Sequence, residues 1–312
     1  MFSDEFWNNP GSTQVLTQKA IFGFGFTSSG YNSVTGVTNL VSDSGVVASD
    51  TSAVGTARRA LMASGYGEDK AIFAFGKLAD GSLTAISNLV SNSGVVASDT
   101  AGVGTARIEG MGAAYGGDKA IFAFGHTGSV TGISNLVSNS GVVASDTAAV
   151  GTAKHAGAGA AYGGDKAIFG FGYDSDWTAS TNLVSNTGVV ASDTSGVGST
   201  RYFLGATGYG EDKAIFGFGM LAPGNANTAI TNLVSNSGVV ASDTSGVGSV
   251  RVLVTGAVYG GDKGIFAFGR LGTSGASGTA ISNLVSNSGV VATDTSGVGT
   301  AAAARASAGY AN

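Results

Sequence analysis

One seven-residue pattern recurs throughout the chain. Lys-Ala-Ile-Phe-(Gly/Ala)-Phe-Gly occurs six times, with Gly264 replacing Ala in the last copy, and the copies start at Lys19, Lys70, Lys119, Lys166, Lys213 and Lys263. The intervals between successive lysines are 51, 49, 47, 47 and 50 residues, so one unit repeated six times accounts for nearly the whole chain. A period in this range is typical of propellers and solenoids, because a unit of this size cannot bury its apolar face alone.

The composition favours an all-β chain of short strands. Hydrophobic residues make up 43% of the 312 residues, which is enough for a core, and 53 Gly with only 2 Pro fit many tight turns. Charged residues make up only 11%, against roughly 25% in ordinary domains. We therefore expect a surface that is largely neutral and rich in hydroxyl and amide groups.

Several classes of function are disfavoured. The net charge is −5 and Lys and Arg are not clustered, so no nucleic-acid partner is expected. Cysteine is absent, which removes disulfides and thiolate metal sites. The N-terminal residues lack the features of a secretory signal, and no apolar run is long enough to span a bilayer, so no membrane insertion is expected. No metal and no cofactor is predicted.

One repeat, residues 201–251, predicts four short antiparallel strands. They cover residues 201–209, 213–219, 230–235 and 239–242, separated by turns rich in Gly, Asp and Asn. Alternation within the second strand places Phe216 and Phe218 on one face. We assign the twelve Phe of this motif to the core, where each would contribute about 2–3 kcal/mol. An aromatic stripe for a ligand is the alternative.

The two ends of the chain complement each other. Residues 300–312 match the stretch that the first motif lacks, and placing Gln18 and Lys19 directly after Asn312 restores, from Tyr310 to Lys19, the spacing seen from Tyr66 to Lys70. Closed propellers need such matched ends and solenoids do not. We therefore predict an N-terminal arm, residues 1–17, and a six-bladed β-propeller of four-stranded antiparallel blades, residues 18–312. The C-terminal strand would complete the first blade.

The repeat resembles that of kelch propellers. The pattern Arg-x-x-x-x-x-x-x-Tyr-Gly-x-Asp-Lys-Ala-Ile-Phe-x-Phe-Gly, as from Arg58 to Gly76, covers about residues 18–312. The resemblance implies that the stretch after each basic residue is the innermost strand and lines a central channel. Arrays of near-identical glycine-rich repeats are also similar in composition to bacteriophage virion and tail-fibre proteins.

Length variation is confined to one loop in each repeat. The motif lysine and the next Asn-Leu-Val-Ser are 16–20 residues apart, whereas that asparagine and the next lysine are always 31 apart. Loops on a rigid scaffold commonly carry binding. The candidate binding residues found in these loops are Phe26, Tyr31, Lys77, Asp80, His126, Tyr173, Asp174, Asp176, Trp177, Met220 and Arg270.

The segment 173–177 is the densest of these loops. Its aromatic rings could stack on a sugar while its carboxylates accept hydroxyl groups, or the carboxylates could hold a hard cation. The alternative is that Trp177 only covers a neighbouring blade. His126 is interpreted as an ordinary surface histidine.

Repeated polar residues are interpreted as structural. Asp50 and its five equivalents suggest turns whose carboxylates accept backbone N–H groups, with six cation sites as the alternative. Each motif lysine and the Asp before it suggest solvated edge charges. Arg58 and its equivalents form a basic ring that has Ala302 at the sixth position. His126 and His155 lie in different repeats without a recurring partner, so no enzyme is predicted.

The arm, residues 1–17, contains Phe2, Phe6 and Trp7, which suit docking to a protein partner in an assembly. Its alternative is packing on the propeller's own surface. The function predicted from sequence is a non-enzymatic binding or structural module, located on a virion (phage tail or fibre) or another extracellular assembly. Its variable loops would recognise a partner or a host surface. The alternative is a lectin that binds a cell-surface glycan.

Overall fold

The computed structural model describes residues 17–27, 32–272 and 278–312. Within these residues the chain forms 21 β-strands and no helix, so no helix there could cross a membrane. The predicted all-β class is confirmed. The predicted arm residues Phe2, Phe6 and Trp7, and the loop residue Tyr31, lie outside the described residues.

The strands are short. In the first four repeats they are β1 (Gln18–Gly23), β2 (Thr38–Val41), β3 (Met62–Tyr66), β4 (Lys70–Lys77), β5 (Leu83–Val90), β6 (Met111–Tyr115), β7 (Lys119–His126), β8 (Val130–Val137), β9 (Ala158–Tyr162), β10 (Lys166–Tyr173) and β11 (Trp177–Val184). The remaining strands are β12 (Arg201–Tyr202), β13 (Gly205–Tyr209), β14 (Lys213–Gly217), β15 (Met220–Leu221), β16 (Ala226–Asn227), β17 (Thr231–Val234), β18 (Thr255–Tyr259), β19 (Lys263–Ala267), β20 (Ser282–Val285) and β21 (Ala306–Ala311).

Six three-stranded antiparallel sheets repeat the same order, with the Lys-Ala-Ile-Phe strand at the centre of each. They are sheet I (β21-β1-β2), sheet II (β3-β4-β5), sheet III (β6-β7-β8), sheet IV (β9-β10-β11), sheet V (β13-β14-β17) and sheet VI (β18-β19-β20). A small additional sheet, β12-β15-β16, lies beside sheet V in sequence. Hairpin connections between successive strands produce this meander, as the turn residues predict.

The fourth predicted strand of each repeat is present only as isolated bridges. In sheet I, Val47 pairs with Val41 and Thr51 pairs with Thr38. Between these bridges the Asn39 side chain donates from Nδ2 to Ala48 O (3.1 Å) and to Asp50 Oδ1 (2.8 Å). In a regular fourth strand a backbone N–H would bond to a carbonyl such as Ala48 O, but here the Asn39 side-chain amide takes that acceptor. Regular pairing is therefore confined to three strands in each sheet.

Sheet I is built from both ends of the chain. β21 pairs antiparallel with β1 from Gln18↔Ala311 to Gly23↔Ala306. Thr17 N adds a hydrogen bond to Asn312 O (2.8 Å). The complementary ends seen in the sequence therefore meet, and the C-terminal strand completes the first sheet as predicted.

Each sheet contacts the sheets before and after it. The first strands β3, β6, β9, β13 and β18 contact one another in order, and β21 contacts both β18 and β3. Six apolar clusters lie between neighbouring sheets, including one between sheets VI and I. The core of the described residues is thus divided among the interfaces between sheets, since a three-stranded sheet cannot bury its faces alone.

The motif phenylalanines form these interfaces, as predicted. All twelve are fully buried: Phe22, Phe24, Phe73, Phe75, Phe122, Phe124, Phe169, Phe171, Phe216, Phe218, Phe266 and Phe268. The prediction that both rings of a motif share one face is wrong. Phe22 contacts Phe268 of sheet VI (ring centroids 5.3 Å apart), whereas Phe24 contacts Phe73 of sheet II (5.2 Å).

A backbone irregularity at the second Phe explains the difference. In all six motifs this residue has a positive φ of 61° to 64°. In sheets II, III and IV the pairing register also shifts there. Such a bulge re-aims the side chain that strict alternation would place on the other face. Each motif therefore contributes one ring to each neighbouring interface.

Candidate functional site

The bulge also positions six of the predicted binding residues. The residue two places after the second Phe has the same structural position in every repeat: Phe26, Lys77, His126, Tyr173, Met220 and Arg270. Each pairs with the residue that directly follows the basic-ring position: Ala303, Arg59, Ile108, His155, Tyr202 and Val252 respectively. In sheet II, for example, Lys77 N donates to Arg59 O (2.9 Å) and Arg59 N donates to Lys77 O (3.0 Å). We call these twelve residues the rim.

The rim brings two variable segments of each repeat together. The sequence analysis identified the loop residues and, separately, the stretches after the basic residues as channel-lining strands, but it did not pair the two. Arg59, His155 and Tyr202 were not singled out as site residues. A signal was present, because the residue after the basic position differs in all six repeats.

A chain of five backbone hydrogen bonds underlies the rim. Six non-glycine residues, with φ between 49° and 59°, form it: Ala60, Glu109, Ala156, Phe203, Leu253 and Ala304. Glu109 N donates to Ala60 O (2.9 Å), and Ala156 N donates to Glu109 O (2.7 Å). Left-handed conformations cost about 1–3 kcal/mol each and persist only where the surrounding structure imposes them. The five bonds run from Leu253 through Phe203, Ala156, Glu109 and Ala60 to Ala304, and they couple neighbouring repeats directly below the rim.

A cavity of about 670 Å³ opens between the rim residues. Phe26, Arg59, Lys77, Tyr202 and Arg270 are among its walls. Its volume lies within the roughly 300–1,000 Å³ of typical ligand sites. A space of about 70 Å³ adjoins it, followed by one of about 120 Å³ between the first strands of the sheets, and a separate space of about 210 Å³ lies at the end of the motif lysines. The stretches after the basic residues line the first two of these spaces.

Six aromatic side chains form a continuous arc across sheets III to V. We call His126, His155, Tyr173, Trp177, Tyr202 and Phe203 the aromatic arc. Successive ring centroids are 5.3, 5.6, 6.5, 5.8 and 4.5 Å apart. All six residues are partly exposed. The arc therefore offers ring surface to a ligand beside the cavity.

The two histidines belong to one cluster. His126 and His155 contact each other, and His155 Nδ1 lies 2.7 Å from Glu109 Oε2. Glu109 also lines the cavity. The sequence places these histidines in different repeats without a recurring partner, and it does not show their contact, which arises because the rim places residues of adjacent repeats side by side.

The loop carboxylates are engaged within their own turns. Burial alone would raise the pKa of Asp174, but hydrogen bonds from Ser175 and from Asp176 N hold that pKa below its ordinary value. Asp176 Oδ1 accepts Trp177 N (2.8 Å). Asp80 accepts Ser82 Oγ (2.6 Å) and N (2.8 Å), and these bonds lower its pKa. Among the described residues no group of three acidic or histidine side chains could hold a metal ion.

The basic ring is complete and buried. Each cation lies 4.0–5.2 Å from the centroid of a Phe ring in the preceding sheet. The six cations are Arg58, Arg107, Lys154, Arg201, Arg251 and Arg305. Burial lowers the pKa of Lys154 to about 8 and that of Arg305 to about 10. Stacked, desolvated cations of this kind stabilise the contact between sheets.

Arg305 corrects the prediction that the ring lacks a sixth member. Ala302 does occupy the equivalent position in sequence, but Arg305, three residues later, supplies the guanidinium. Its Cζ lies 4.0 Å from the Phe268 centroid, and Nη1 donates to Asn39 Oδ1 (2.8 Å). The arginine side chain is long enough to place its guanidinium at the position equivalent to that of the other five cations, although its backbone lies three residues further along the chain.

The repeated aspartates accept backbone N–H groups, as expected, but not from their own turns. Asp99 accepts Thr56 N (3.1 Å), Thr56 Oγ1 (2.5 Å) and Asn88 Nδ2 (2.8 Å). The donor of the backbone bond is 41–45 residues earlier in five repeats, and for Asp50 it is Thr300. Burial would raise the pKa of these carboxyls, but the hydrogen bonds hold it below its ordinary value.

The motif lysines lie at the opposite end of the sheets from the rim. Lys70 Nζ lies 2.5 Å from Asp69 Oδ1, and the lysine side chain is 42% exposed. Four other repeats contain the same pair. Such exposed pairs contribute about 0–1 kcal/mol. This face therefore carries paired surface charges of the kind that the sequence predicts.

No protein-family model matches the chain, and no curated protein matches it.

Proposed function

We propose that the six sheets are the blades of one closed, kelch-like six-bladed propeller, with each bridge-forming segment as an irregular fourth strand. The contact of β21 with β18 and β3 supports closure. So does the apolar cluster shared by sheets VI and I. Asp50, near the start of the ring, accepts Thr300 N (2.9 Å), which adds a polar link between the two ends.

We infer that this propeller is a non-enzymatic binding module and that the rim is its binding face. The observation that carries the inference is the pairing of the two variable segments in every repeat, with eight of the twelve paired residues lining one 670 Å³ cavity. Outside these two segments the repeats barely differ, and the distance from each Asn-Leu-Val-Ser to the next motif lysine is constant at 31 residues. Variation concentrated where side chains surround a cavity is the expected arrangement for recognition on a constant scaffold.

A saccharide is the ligand class that fits the aromatic arc best. Partly exposed Trp, Tyr and His rings can pack against the apolar face of a sugar ring, while nearby polar groups bind its hydroxyls. Trp177 and Tyr202 lie 5.8 Å apart at the centre of the arc. Glu109 supplies an acceptor at the cavity wall.

The proposed location is a virion, such as a phage tail or fibre, or another extracellular assembly. Thr17 bonds to Asn312 at the end of β1 that is farther from Phe26, so the arm begins on the face away from the rim. Docking of Phe2, Phe6 and Trp7 to an assembly partner would leave the rim accessible. A structural role in such an assembly is the second candidate. It is favoured by six equivalent valines, 63–65% exposed, on the bridge-forming segments.

Binding to a broad glycan array and to intact bacterial surfaces tests the proposal. We expect selective binding by the unmodified protein and loss of binding in Trp177→Ala and Tyr202→Ala. Lys213→Gln, on the opposite face, is the control and should bind normally. Thermal unfolding checks that each variant is folded. Binding retained by both arc variants would remove the site from the arc. If the unmodified protein binds no glycan, the saccharide ligand is rejected and the structural role is favoured.

A further inference from the structure

The basic residues of this chain divide into three groups. Six form the buried ring, and six begin the central strands on the face opposite the rim. The remaining three of the 15 Lys and Arg residues are Arg59, Lys77 and Arg270. All three belong to the rim and line the 670 Å³ cavity. The three cations that do not recur from repeat to repeat therefore all lie at this cavity.

These three cations occupy one sector of the rim. Arg59 pairs with Lys77 in sheet II, and Arg270 pairs with Val252 in sheet VI. Sheet I, which contributes Phe26, lies between them. Arg270 is only 5% exposed although it forms part of the cavity wall. A cation at such a desolvated wall interacts with an anion more strongly than one in bulk water does.

Carboxylates are few among the described residues around these cations. Among the described residues that line the cavity, Glu109 is the one carboxylate, and it contacts His155 on the side of the aromatic arc. Asp80, in the loop after Lys77, accepts two hydrogen bonds from Ser82. The chain as a whole has a net charge of −5, so three cations at one cavity do not simply reflect the overall charge.

We propose that the rim binds an acidic saccharide, with its anionic group directed to Arg59, Lys77 and Arg270. Its sugar ring would lie against the Tyr202 and Phe203 end of the aromatic arc, which lines the same cavity. Guanidinium groups bind carboxylate or phosphate through paired hydrogen bonds, and the lysine adds a point charge. This inference rests on the proposed saccharide-binding function and specifies the charge of the ligand.

The test compares three polysaccharides at low and at high salt. Polygalacturonate carries carboxylates, a polyol-phosphate polymer carries phosphates, and dextran is neutral. We expect tight binding to at least one acidic polymer and weak binding to dextran. The acidic binding should weaken with salt because charge contributes to it. Which acidic polymer binds identifies the anionic group.

Lys77→Gln and Arg59→Gln should each reduce acidic binding by about tenfold or more, since a hydrogen bond to a charged group is lost. Lys213→Gln makes the same change of charge on the opposite face and should leave binding unchanged. Dextran bound as tightly as the acidic polymers, or rim variants that bind normally, would overturn this inference while leaving the proposed function intact. Absence of binding to every saccharide, here and on the array, would overturn the proposed function itself.

Discussion

Replacing Arg305 with methionine tests whether the two ends of the chain form one cooperative structure. Arg305 follows sheet VI in the chain and precedes β21, the strand that completes sheet I. Its Nη1 donates to Asn39 Oδ1 (2.8 Å), and its Nη2 donates to Val37 O (2.9 Å). The guanidinium also stacks on Phe268 of sheet VI. The Arg305 side chain thus links sheet I to sheet VI, where the two ends of the chain meet.

The expected loss follows from the groups left behind. Methionine keeps the apolar stem but removes the charge, so the cost of burying a cation also disappears. Val37 O keeps its hydrogen bond from Phe24 N (3.0 Å), whereas Asn39 Oδ1 loses its donor. Three charge-assisted bonds, the third and longest from Nη2 to Phe22 O (3.4 Å), and one cation–π contact are lost against the relief of desolvation. We expect the free energy of unfolding to fall by about 2–4 kcal/mol.

Urea unfolding of a Trp7→Phe background, in which Trp177 is the remaining tryptophan, provides the assay. Trp177 lies in sheet IV, so its fluorescence reports on a sheet that Arg305 does not contact. In a closed cooperative ring, fluorescence and far-UV circular dichroism should shift together to lower urea. Lys263→Met, an exposed control, should leave the urea midpoint unchanged. A Trp177 transition unmoved by Arg305→Met, with a separate early phase in circular dichroism, would refute the reasoning.

Three further predictions concern the scaffold. Burial lowers the pKa of Lys154 to about 8 from 10.5, so above pH 8 the unfolded chain binds more protons; stability relative to Lys154→Met should rise by up to about 1.4 kcal/mol per pH unit toward pH 9, and parallel urea-unfolding profiles would contradict this. Hydrogen bonds hold the pKa of Asp50 and its five equivalents below 3.8, so the stability that these carboxylates contribute should be lost as pH falls through their folded-state pKa values. The melting temperature should drop steeply below about pH 4, and less steeply in Asp146→Asn. An acid profile unchanged by that substitution would argue against a stabilising role for these carboxylates. Gly76 has φ 122°, and an added Cβ would lie 3.0 Å from Arg59 O; Gly76→Ala should cost about 1–3 kcal/mol, more than Gly117→Ala, which has positive φ but open space, and equal melting temperatures would exclude the close contact as the cause.

Much of the fold could be predicted because the repeat exposes its own rules. The motif spacing fixed the central strands, and the matching ends indicated the pairing of β1 with β21. The bulge could not be predicted from alternation, since a period of two assumes a regular strand. At Phe24 the backbone departs from that regular geometry. Arg305 was missed for a related reason. Comparison at fixed spacing finds Ala302, whereas a long side chain can fill the same space from a different position.

The sequence analysis named residues from only one of the two segments that form the rim. Length variation pointed to the loops, and six loop residues proved to be rim residues. Their partners across the hairpin depend on the pairing register beyond the bulge, which the sequence alone does not show. For the same reason the contact between His126 and His155 was not foreseen, because it arises between neighbouring repeats.

The rim's separation from the core has a consequence for how this chain could diversify. Rim backbones bond to one another, and the small apolar cluster at the rim, which includes Phe26, Ile108 and Ala303, is distinct from the six clusters between sheets. New side chains at the six partly exposed rim positions would therefore alter the proposed specificity at little cost to stability; these are Arg59, Lys77, His126, His155, Tyr173 and Tyr202. The arrangement is comparable to an antibody framework with its hypervariable loops. A library randomised at the rim of this scaffold should contain folded members that recognise surfaces unrelated to the natural one.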